Sequence, residues 1–62
     1  MRVLRRRDVE SKTGLSRSSI YAGISAGTFP KPIPLGKKAV GWVEAEVTAW
    51  IDHCIAQREG GR

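Results

Sequence analysis

The stretch Gly14-Leu15-Ser16-Arg17-Ser18-Ser19-Ile20-Tyr21 gathers a guanidinium, three hydroxyls and a phenol within a few positions. That set suits the recognition of an anion. A guanidinium can fork onto a phosphate or a guanine edge, and hydroxyls donate to phosphate oxygens. Lys37 and Lys38 form a second cationic pair farther along the chain. Other chemistries fail for want of partners. His53-Cys54 stands without a second His or Cys, so it offers neither metal-ligand spacing nor the third group of a nucleophilic site. Gly27, Gly36 and Gly41 make no phosphate-loop pattern. No metal and no cofactor is expected.

The elements that must hold these residues can be read from caps and periodicity. A first helix is expected from about Arg6 to Thr13, with Asp8 and Glu10 in its early turns, where the helix dipole favours negative charge. Gly14 ends it. Ser16 is the expected N-cap of a second helix, its hydroxyl accepting from the free amides of the first turn. Leu15 and Ile20 then have the spacing of a hydrophobic staple. This second helix runs to about Ala26 and stops at Gly27. Ile20 and Ile24, one turn apart, face the core. Ser16 thus has a capping role beside any ligand role, and Tyr21 can pack against the first helix or the hairpin as well as touch a ligand. Arg17 is different: a cation at a helix N-terminus opposes the dipole, so capping does not explain it.

Residues 28–35, with three prolines at alternate positions, cannot be helical. Two short extended segments around Gly36-Lys37-Lys38 read as a β-hairpin with a cationic tip, and Pro34 restricts its strand to an edge. Val3-Leu4 is a short apolar pair, able to add a strand or to cover the core. From Val43 to about Gln57 the apolar positions Val43, Val47, Trp50, Ile51, Cys54 and Ile55 form the stripe of an amphipathic helix. Cys54 is therefore expected in the core. Trp50 shares the stripe, and Trp42 joins hairpin to helix. Gly60, Gly61 and Arg62 read as a frayed tail. The order is helix, tight turn, helix, hairpin, helix. It defines a small α+β fold, mainly α: a winged helix-turn-helix. The expectation is one DNA-binding domain over residues 1–62, with the helix-turn-helix at 6–26, the wing at 33–42 and the last helix at 43–58.

Charge fits that geometry. The chain has 62 residues and a net charge of +5. Residues 1–42 carry nine basic and two acidic side chains, a net +7, whereas residues 43–62 carry a net −2. A segregated positive field suits a polyanion, because each phosphate contact releases condensed counterions; on charge alone a basic surface kept for solubility fits equally well. In a helix-turn-helix the second helix enters the major groove with its N-terminal residues at the base edges. Arg17, Ser16, Ser18, Ser19 and Tyr21 stand at that end, and Lys37 and Lys38 are positioned on the wing to reach backbone or minor groove. The Arg5-Arg6-Arg7 run reads as a solvated start to the first helix, and Lys12 and Lys31 as surface. A chain this short has little room for a deep, dry pocket, so neither an enzyme nor a small-molecule substrate is expected. A single cysteine, no apolar run of about 20 residues and no secretory signal suggest a cytoplasmic protein with no membrane partner.

The segments "TGLSRSSIY", "GTFPKPIPLGKKAVGW" and "VEAEVTAWI" resemble, in that order, the AlpA family of short prophage-associated transcriptional regulators. That family is similar in turn to small excisionases and to the DNA-binding domain of MerR-type regulators. The resemblance covers residues 3–52. It implies a recognition helix at Ser16 to Ala26, with Arg17, Ser18, Ser19 and Tyr21 at its contact end, and a wing at Leu35 to Trp42 tipped by Lys37 and Lys38. It further implies sequence-specific binding to double-stranded DNA and regulation of transcription in a prophage or mobile element. One departure stands out: family members often carry a basic residue after the tyrosine, and here it is Ala22. Two alternatives remain open: an excisionase-like factor that bends DNA at a recombination site, and a protein-interaction adaptor that kept the fold without the DNA contact. Pairing or cooperative arrays on DNA are compatible with so small a module, though no dimer seam is visible.

Overall fold

The computed structural model describes residues 1–60, the side chains of residues 59 and 60 excepted. A two-residue strand, β1 (Val3–Leu4), leads directly into helix α1 (Arg6–Thr13). The Asp8 carboxylate accepts the Arg5 amide at 3.2 Å, which puts negative charge at the positive end of the helix. Gly14 closes α1 with φ 76°, a left-handed conformation that a side chain would resist. Its amide donates to the Glu10 carbonyl at 2.8 Å. Thr13 binds the turn to the helix it leaves: its hydroxyl donates to the Val9 carbonyl at 2.7 Å and accepts the Leu15 amide at 3.2 Å.

Helix α2 (Arg17–Ala26) begins at the expected cap. Ser16 Oγ accepts the Ser19 amide at 3.2 Å, while Ile20 is fully buried and Leu15 packs against the core. The helix ends at Gly27, and the Thr28 amide turns back to the Gly23 carbonyl at 2.8 Å.

The proline-rich loop that follows has few backbone partners of its own, and two indoles anchor it. Trp42 Nε1 donates to the Pro30 carbonyl at 3.0 Å, and Trp50 Nε1 donates to the Thr28 carbonyl at 2.8 Å. Strands β2 (Ile33–Pro34) and β3 (Val40–Val43) then form the hairpin, pairing Ile33 with Gly41 and Pro34 with Val40. The Leu35 amide donates to the Ala39 carbonyl at 2.8 Å across its tip. β1 lies antiparallel on the other side of β3, pairing Val3 with Val43 and Leu4 with Trp42. The sheet order is β1-β3-β2, so Pro34 sits on an edge, where its missing amide breaks no ladder.

Helix α3 (Glu44–Gly60) completes the fold, a mainly helical α+β winged helix-turn-helix. Its start differs from the periodicity reading, because Val43 belongs to β3. The helix lacks a side-chain cap, and its first amide is satisfied across the sheet: Glu44 N donates to the Arg2 carbonyl at 2.8 Å. Gly61 and Arg62, the rest of the expected tail, lie outside the described residues.

The core takes one buried side chain from each of six segments: Leu4 from β1, Val9 from α1, Ile20 from α2, Phe29 from the loop, Trp42 from β3 and Val47 from α3. Phe29 and Trp50 meet edge to face at 4.9 Å. Cys54 corrects the expectation of a core residue, being exposed, and Ile55 is 43% exposed. The reason is length. Seventeen residues of α3 extend about 25 Å, and the body of the domain underlies only the first part. The stripe is helical in period but covered only as far as Trp50 and Ile51.

Candidate nucleic-acid interface

The sequence-derived site residues fall on two elements that β3 brings together. Ser16, Arg17, Ser18, Ser19 and Tyr21 occupy the cap and first turns of α2, all exposed. Ser16 is committed to structure in both directions: its oxygen accepts the Ser19 amide, and its hydroxyl donates to Ser19 Oγ at 3.1 Å. Ser19 keeps its own O–H to donate, and Ser18 has a free hydroxyl, so these two are better placed than Ser16 to serve a ligand.

Tyr21 joins the parts. Its ring meets Trp42 edge to face, with centroids 6.4 Å apart and planes at 65°, so the packing role expected against the wing is realised. Yet Tyr21 remains 39% exposed, and the Arg17 guanidinium carbon lies 6.0 Å from the ring centroid, within cation–π range. An aromatic seated on the core thus presents the cation at the helix start.

On its other side Tyr21 lines an open groove of about 340 Å³, together with Arg5, Arg6, Arg7, Lys38 and Val40. Wing and helix start are thereby joined through one phenol ring. Lys38 belongs to this groove, whereas Lys37 is exposed at the tip and does not line it. The arginine run, taken from sequence as a solvated helix start, has a more specific setting than that. Leu4, the last residue of β1, pairs with Trp42, so the arginine run begins where the chain leaves β3 and turns into α1.

No group of three or more His, Cys, Asp and Glu side chains among the described residues is placed to hold a metal. Among the same residues no helix is long and apolar enough to cross a membrane.

Fold and surface together define a small winged helix-turn-helix protein with exposed cations on its second helix and its wing. The chain belongs to the AlpA family, matching the family described as prophage CP4-57 regulatory protein (AlpA) over residues 2–55. It is 48% identical over 60 residues to the uncharacterized protein ORF88 of Enterobacteria phage P4, covering 97% of this chain and 68% of that protein. It is 42% identical over 59 residues to the DNA-binding transcriptional activator AlpA of Escherichia coli strain K12, covering 86% of this chain and 84% of that protein.

Proposed function

We propose that this protein is a sequence-specific, DNA-binding regulator of transcription in a prophage or related mobile element, acting in the cytoplasm by binding rather than catalysis. The observation that carries the reading is the continuity of the positive face. Arg17 lies against Tyr21, and Tyr21 lines one groove with Lys38 and the arginines of the first turn. A face of that kind matches a duplex, whose phosphates supply most of the affinity and whose groove edges supply the specificity. The relative from Escherichia coli carries the name of a DNA-binding transcriptional activator, which supports the same partner.

In this reading residues 1–62 act as one DNA-binding domain. The N-terminal end of α2 enters the major groove, where Arg17 reads a base or grips a phosphate. Ser18, Ser19 and Tyr21 contact the strand beside it, and Ser16 serves chiefly to aim the helix. Lys37 and Lys38 hold backbone at the flank. One module covers a short site, so pairing or cooperative binding on DNA extends the footprint.

The test is an amide NMR titration of the folded protein with duplex drawn from its own genomic neighbourhood, in dilute buffer. The expected shifts fall on residues 16–21 and 36–40. Signals that stay put, or that move only on α3, would overturn the reading.

A further inference from the structure

The groove between the start of α1 and the wing is not used by a helix that simply inserts into DNA, yet four cations from two elements converge on it. Arg5, Arg6 and Arg7 from the start of α1 line it together with Lys38 and Val40 from the wing and Tyr21 from α2. Arg6 is the one of the four with an ion-pair partner, Glu10 at 3.0 Å. Arg5, Arg7 and Lys38 have none among the described residues. The nearest acid in sequence, Asp8, has a carboxylate oxygen engaged with the Arg5 amide.

Like charges brought together by the fold repel one another, and a bound anion relieves that repulsion. Merely solvating positions would scatter them over the surface. The first turn of α1 opens at the same place, since Arg5 caps the helix and Arg6 and Arg7 begin it, so the helix dipole adds to the positive potential. The two guanidiniums without an acidic partner, Arg5 and Arg7, also favour a tetrahedral oxyanion, which they can grip with paired donors.

We propose that this groove is a clamp for a backbone phosphate of the duplex bound by α2, with Arg5 and Arg7 gripping it from the start of α1 and Lys38 from the wing. The inference rests on the DNA-binding reading above and adds to it a second, sequence-independent anchor. Because Tyr21 adjoins both Arg17 and the groove, the clamped phosphate lies next to the segment that the helix reads. The clamp therefore sets the angle and depth at which α2 meets the groove.

The experiment compares the full chain with Arg5→Ala/Arg7→Ala on two duplexes, one from the genomic neighbourhood and one of mixed sequence, across a salt series. Both arginines are exposed, and the thermal midpoint of each variant verifies its fold. The clamp predicts an equal fold-loss of affinity on both duplexes, and a log–log salt slope shallower by about 1 for each phosphate no longer gripped. Arg5→Lys/Arg7→Lys should restore the slope, because charge is kept. Lys38→Ala, on the wing, should act in the same direction, and it carries the test should the double variant fail to fold. Unchanged slopes with duplex still bound would overturn the clamp alone. A wild type that binds neither duplex would overturn the DNA-binding reading and the clamp with it. Arginine side-chain signals that respond to inorganic phosphate but not to duplex would overturn the clamp in favour of a small-anion site.

Discussion

Arg17 sits where the helix field opposes it, at the first position of α2, with a tyrosine ring as its neighbour. The arrangement makes sense when a phosphate or a base edge completes the coordination of the guanidinium. Arg17→Ala should therefore weaken binding to the cognate duplex by about 1–3 kcal/mol, and by less on other sequences if it reads a base; fluorescence anisotropy with both duplexes measures the difference. Ser16 is the contrasting residue. Its hydroxyl is spent on Ser19, so Ser16→Ala should cost about 1 kcal/mol of stability, a fall of about 4–8 °C in thermal midpoint for a domain of this size. Affinity measured well below that midpoint should change little. The Ser16 cap was legible in sequence, because capping follows local rules. The exposure of Cys54 was not, since periodicity marks a face without saying how far along it a partner reaches.

At the scale of elements, the decisive contact is between segments far apart in sequence. β1 has only two residues, yet it pairs with β3 and its preceding carbonyl, that of Arg2, takes the first amide of α3. Sequence patterning left Val3-Leu4 undecided between strand and cover, because pairing partners cannot be read from a two-residue run. Gly41 shows how close the fit is. A Cβ there would stand 2.5 Å from Val3 Cγ1, 2.9 Å from Leu35 Cδ1 and 3.1 Å from the Leu4 carbonyl. Gly41→Ala should thus destabilise by about 1–3 kcal/mol through overpacking, with hydrogen exchange accelerated first in β1 and β3. Along α3 the outcome depends on distance from the body. Val47, fully buried, should cost about 2 kcal/mol on truncation to Ala. Ile55→Ala should stay within about 0.5 kcal/mol. Chemical denaturation of the two variants side by side checks this gradient, and equal costs would contradict it.

Over the whole molecule, charge and core occupy different territories. The core draws one buried side chain from nearly every segment, while the basic residues of the first two thirds lie outside it. The net +7 of residues 1–42 was legible without any fold. What sequence could not supply was convergence: the fold brings Arg5, Arg7 and Lys38 to the lining of one groove. Replacing Lys37 and Lys38 together by alanine should weaken binding to every duplex alike and flatten its salt dependence by up to about 2 log units per log unit of salt, as read by titration at several ionic strengths. A loss confined to one sequence would instead assign the wing to base reading.

The seating of Tyr21 on Trp42 has a practical corollary. Because this ring is the member of the proposed contact surface that leans on the interior, and Ser19 is tied into the cap, the exposed positions Arg17, Ser18, Lys37 and Lys38 can be randomised as a library without disturbing the scaffold beneath. New operator preferences could then be selected from a protein whose melting behaviour hardly varies from clone to clone, provided the tyrosine is left in place.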